Sequence, residues 1–169
     1  MRAGFRWVGV IFVLLTANSV PAQQRMWAPI APGTTFTSGD SWVTGSKRFR
    51  LYGLRSCERG RTFINASGIQ HDCGEASLAM LVSLIRDLSP VCTEVARDEK
   101  AAISHVVCLA LPDKGAGKGS RLDLGTALIS SGFGFAARDG SGQPIHRDYA
   151  VAEAVAKRNR AGLWAYRMQ

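Results

Sequence analysis

The stretch "RFRLYGLRSCERG", residues 48–60, sets one carboxylate, Glu58, among Arg48, Arg50, Arg55 and Arg59, with Arg61 just beyond it. Its first half alternates. Phe49, Leu51 and Gly53 fall on one side of an extended chain, and Arg48, Arg50 and Tyr52 on the other. Such a strand is half-buried in a sheet and turns its arginines outward. Upstream, "TTFTSGDSWVTGSK" adds short strands broken by turns at "SGD" and "TGSK". The stretch also poses a chemical choice. Clustered guanidinium groups suit phosphate, and the lone acid among them is either a general base or a counter-charge.

Downstream, "DCGEASLAMLVSLIRDL" predicts the strongest helix, with Asp72 as its cap, Glu75 at the capping-box position and Pro90 past its end. Its apolar residues Ala76, Leu78, Ala79, Leu81, Val82 and Ile85 are numerous enough to bury most of its surface. "ISHVVCLAL" predicts a strand, "LDLGTALISSG" a short helix stopped by Gly132, and "DYAVAEAVAKRNRAGLW" a third helix. Strands, helix, strands, helix, helix is not the alternation of a parallel sheet. The pattern predicts an α+β fold, a small barrel with helices packed beside it.

The chain starts with Arg2 and Arg6, an apolar run from Trp7 to Leu15, and small residues up to Ala22. That run is shorter than the roughly 20 residues that span a bilayer, so residues 1–22 are expected to be a cleaved export signal. The expected organisation is then a lead-in over 23–34 and one domain over 35–169, periplasmic or secreted, monomeric and without integral membrane association. "PDKGAGKGS", residues 112–120, predicts a flexible loop. Without Arg2 and Arg6, 19 Lys/Arg face 13 Asp/Glu, a formal +6. This attracts nucleic acid, anionic polysaccharide or a membrane surface alike. The placement is more informative, because six cations between Lys47 and Arg61 face only Glu58.

Cys57, Cys73, Cys92 and Cys108 allow three disulfide connectivities. The equal spacing of sixteen favours Cys57–Cys73 and Cys92–Cys108, each closing a loop worth roughly 3 kcal/mol. A zinc site would need closer ligand pairs, and no CxxC spacing is present.

In order and spacing, "SGDSWV", "FRLYGLRSCE", "CGEASLAML", "LDLGTALISSGFGFAA" and "YAVAEAVAKRNRAGLW" resemble the staphylococcal-nuclease-like (thermonuclease) family, in its exported, cysteine-containing proteobacterial branch. The resemblance runs from about Thr35 to Ala165. It implies a five-stranded OB-fold β-barrel with three packed helices and calcium-dependent hydrolysis of DNA or RNA. Arg50 falls on the family's first catalytic arginine, Glu58 on its catalytic glutamate and Asp40 on its first calcium aspartate.

Two departures accompany these matches. The family's Gly-Ile-Asp-Ala-Pro-Glu reads Gly-Leu-Arg-Ser-Cys-Glu, so Arg55 replaces the second metal aspartate. Arginine cannot ligate calcium, which is expected to be weakly held, and Arg55 instead suits a substrate phosphate. The family's second catalytic arginine has no counterpart between Cys92 and Cys108, where Arg97 and Lys100 stand off the motif position.

His71, His105 and His146 read as solvated or core residues, Asn65-Ala66-Ser67 as a loop, and Glu153 with Lys157 as a surface i,i+4 pair. Two functions remain open. One is an exported phosphodiesterase acting on DNA or RNA with a partly degenerate site. The other is an inactive module that binds nucleic acid or another polyanion. An accessory role in exopolysaccharide (succinoglycan) biosynthesis, as for some nuclease-like relatives, is a variant of the second.

Overall fold

A computed structural model describes residues 26–110 and 121–167; the expected export signal and the 112–120 loop lie outside the described residues. The fold is α+β. Strands β1 (Ala28–Pro29), β2 (Thr35–Ser38), β3 (Ser41–Thr44) and β4 (Lys47–Leu51) come first, followed by β5 (Leu54–Ser56), β6 (Thr62–Ile64) and β7 (Gln70–Asp72). Helix α1 (Cys73–Leu88), β8 (Val91–Asp98), β9 (Ile103–Leu109), α2 (Leu124–Ser130), β10 (Gly134–Ala136) and α3 (Arg147–Arg158) follow, and a 3-10 turn (Gly162–Ala165) closes the chain.

The main sheet is curled and mixed, in the order β1-β8-β9-β4-β3-β2. It holds six strands, where five are expected. β2, β3 and β4 form an antiparallel meander through the two expected turns, pairing Ser41 with Arg50 and Trp42 with Phe49. β4 then runs parallel to β9, with Arg50 opposite His105. β8 and β9 form a long hairpin in which Cys92 faces Cys108.

Several elements were not legible beforehand. β8 occupies an interval with no expected strand. Ala28 and Pro29 of the lead-in pair with β8 as an edge strand. β6–β7 is a separate hairpin whose turn is Asn65-Ala66-Ser67, held by amides donating to Asn65 Oδ1. β5 pairs with β10 across 78 residues of sequence, from Ser56 to Gly134.

Asp72 caps α1 as expected, its carboxylate accepting from the Glu75 amide at 3.0 Å. Glu75 does not return the bond, because the β6–β7 ladder pairs Asp72 with Thr62 and the Glu75 carboxylate turns to Arg59. The helix buries one face rather than most of its surface. Cys73, Gly74, Ser77 and Leu81 are buried, while Ala79 and Val82 are exposed.

Leu81 joins Leu51, Leu54, Val106, Leu124, Leu128 and Ile129 in the main core. Each such aliphatic side chain contributes about 1.5–3 kcal/mol of transfer free energy. Tyr149 ties α3 to this core by donating to Asp123 Oδ1 at 2.7 Å. Burial, and then the Asp123 carboxylate, pushes its phenol well above the ordinary range. A smaller cluster of Cys57, Phe63, Cys73 and Leu163, with Phe133, Phe135 and Tyr166 against it, lies under the region described next.

Candidate functional site

Asp40, Arg50, Arg55 and Glu58 line one cleft of about 680 Å³. Asp40 comes from the β2–β3 turn, Arg50 from β4, Arg55 from β5 and Glu58 from the segment after it. Arg50 and Glu58 line the same cleft because the chain bends between them. Gly53 takes φ +71°, a left-handed conformation that other residues rarely adopt, and β5 thereby leaves β4 to pair with β10.

The Glu58 segment is fixed to the start of α1 by several bonds. The Cys57–Cys73 disulfide links the residue before Glu58 to the first residue of the helix. The Gly60 amide donates to Asp72 Oδ2 at 2.6 Å, the Cys73 amide donates to the Arg61 carbonyl at 2.8 Å, and Arg59 pairs with Glu75. At Gly74 a Cβ would lie 2.6 Å from the Arg59 nitrogen, so only glycine allows this approach. Amide donors, Gly60 first and then Glu75, hold the Asp72 carboxyl below the usual carboxylate range.

Asp40 is buried, 4% exposed, on the cleft wall. Its Oδ1 accepts from the hydroxyls of Ser38 and Ser41, and its Oδ2 lies 3.5 Å from Arg50 Nε. Arg50 Nε also donates to Ser41 Oγ at 3.1 Å. Calcium takes six to eight oxygen ligands, several of them carboxylate. Asp40 is the only carboxylate of the metal motif present, and it is already met by two hydroxyl donors and a guanidinium. Among the described residues no three His, Cys, Asp or Glu side chains gather as a metal group.

Glu58 is exposed and forms no ion pair among the described residues. Arg50 is matched by Asp40, and Arg59 by Glu75. Arg55 and Arg61 are exposed, line the cleft, and have no carboxylate partner among the described residues. The cleft is therefore lined both by guanidinium groups and by a carboxylate that have no ion-pair partner among the described residues.

Residues far along the chain complete the lining. Arg138, just past β10, lines the cleft and donates to the Gly142 carbonyl at 2.9 Å. Glu153 and Lys157 are not a surface pair. Glu153 is 7% exposed, and Lys157 bonds it at 3.2 Å while sitting 4.5 Å over the Trp164 ring. Both residues line the cleft beside Phe135 and Trp164. A sequence signal for Arg138 was its place directly after the apolar run "GFGFAA"; Glu153 gave none, since i,i+4 acid–base pairs usually lie in solvent.

Arg97 and Lys100 lie at the far end of the β8–β9 hairpin and do not line the cleft. Arg97 is held by Glu94, Glu99 and the Ser104 hydroxyl. The histidines are also elsewhere: His71 stacks on Phe63, His105 meets the edge of Tyr52, and His146 stacks on Tyr149. No protein-family model matches the chain, and no curated protein matches it.

Proposed function

We propose that the cleft binds a nucleic-acid phosphodiester and hydrolyses it, with Glu58 as general base. The observation that carries this reading is the Glu58 carboxylate, without an ion-pair partner among the described residues, in a cleft also lined by Arg50, Arg55, Arg61 and Arg138. In the reaction, Glu58 accepts a proton from water as the water oxygen attacks phosphorus. The guanidinium groups take the charge that grows on the non-bridging oxygens. The bond to the leaving sugar oxygen breaks, and that oxygen takes a proton from solvent.

Arg55 takes over the phosphate contact that a metal makes in the thermonuclease pattern, since a guanidinium fork meets phosphate bidentately. On this reading the domain is an OB-type barrel of thermonuclease kinship. The two disulfides suit an oxidising compartment, which agrees with export to the periplasm or beyond. The second reading, a binding module without turnover, is favoured by Asp40, whose carboxylate is committed to Ser38, Ser41 and Arg50.

Incubating residues 23–169 with single-stranded DNA and RNA, with calcium and with chelator, decides between the two. Cleavage that persists in chelator and falls about 10²–10⁴-fold in Glu58→Gln supports the enzyme. Tight, salt-sensitive binding without cleavage at high protein concentration leaves the binding module.

A further inference from the structure

The cleft does not end at Arg50. A second groove of about 170 Å³ shares Ser38 and Arg50 with it and continues across β3 and β4 to Arg48 and Ile103. Its walls carry the polar side chains of Thr37, Ser38 and Ser41, with Val43 and Ile103 contributing apolar surface. Arg48 is exposed and has no carboxylate partner among the described residues.

Arg48 and Arg50 lie on the same side of β4, two residues and so about 6.8 Å apart along the strand. That spacing matches the repeat of an extended sugar–phosphate backbone. We infer that the groove past Arg50 is a second phosphate subsite, and that the protein engages a single-stranded nucleic acid over several consecutive nucleotides running from Arg138 past Arg50 to Arg48.

This inference rests on the phosphodiester reading of the cleft and extends it to a polymeric ligand. A polymer with a charge on every backbone unit can satisfy two guanidinium groups at strand spacing, whereas a single phosphate fills only one. Among polymers, a sugar–phosphate chain is favoured over a carboxylated polysaccharide. The guanidinium forks match phosphate, and Phe135 and Trp164 in the cleft offer apolar surface to bases.

The test uses residues 23–169 carrying Glu58→Gln, which keeps any ligand intact. Fluorescence anisotropy compares a labelled dinucleotide with an oligothymidylate of about eight nucleotides, a typical length for such a site. The longer strand is expected to bind several-fold more tightly. Arg48→Ala should remove most of that gain, leave the dinucleotide unchanged, and lower the slope of log K against log salt by about 0.7. Arg48→Lys should restore the salt slope.

Equal loss for both lengths, or no loss in Arg48→Ala, overturns the second subsite while leaving the cleft reading intact. Binding of neither strand overturns the nucleic-acid reading itself. Stronger competition by an acidic polysaccharide than by unlabelled oligothymidylate overturns the choice of polymer.

Discussion

The two disulfides close loops of identical sequence length, yet they serve different parts of the molecule. Cys92–Cys108 joins directly opposed residues of β8 and β9 in a hairpin already held by its ladder. Cys57–Cys73 joins an irregular segment to a helix start, and the residue after Cys57 is Glu58. The first repeats what backbone hydrogen bonds already specify. The second holds a carboxylate where no regular structure would. The same contrast separates their arginines: Arg97, on the hairpin, is enclosed by two glutamates, while Arg55 and Arg61, beside the other disulfide, have no acid partner among the described residues.

The largest expected effect tests that contrast directly. Replacing either cysteine pair by serine should lower stability to urea by about 3 kcal/mol. Only Cys57→Ser with Cys73→Ser should also weaken oligonucleotide binding, because the Glu58–Arg61 segment loses its anchor. Equal loss of binding in the Cys92–Cys108 variant would break the comparison.

A smaller effect concerns single arginines. Arg138→Ala should weaken oligonucleotide binding about tenfold, the loss of one charge-assisted hydrogen bond. Arg97→Ala should leave binding unchanged and cost less than about 1 kcal/mol of stability, as exposed ion pairs do. Isothermal titration and urea melts read the two separately, and a binding loss in Arg97→Ala would return it to the candidate site.

The smallest effect is on acid tolerance. The Asp72 carboxyl sits below its ordinary value of about 3.9, so the folded state favours its charged form. The stabilisation is fully present above that value and is lost as pH falls through the lowered folded value. The protection of the Gly60 amide, relative to its intrinsic exchange rate at each pH, should therefore fall at low pH, and Asp72→Asn should flatten that dependence. An unchanged profile in Asp72→Asn would show that the Gly60 amide is protected by the disulfide alone.

Local signals carried much of the fold. The Asp72 cap, the apolar repeat of α1, the alternation in β4 and the two turns of the meander are relations between residues near each other in the chain. The missed strands lacked such signals. β5, β6, β7 and β10 each have three residues, too few to display a period. β8 did alternate, with Val91, Thr93 and Val95 on one side, but its charged second half resembled a loop. In α1, Val82 fits the apolar repeat yet is 41% exposed, because the sheet covers only one face of the helix.

The site divided in the same way. Arg50, Arg55 and Glu58 stand within nine residues of one another, so their convergence could be read from one stretch, with Asp40 a single turn away. Arg138, Glu153, Lys157 and Trp164 reach the cleft only because β10 pairs with β5 and the closing turn packs on the cluster around the Cys57–Cys73 disulfide. By itself the sequence determined one part of the cleft lining, through residues within covalent reach of each other. The tertiary structure decided the rest of the lining, the pairing of Asp40 with Arg50 and the lack of an ion-pair partner for Glu58 among the described residues, because each depends on which distant charges burial brings together.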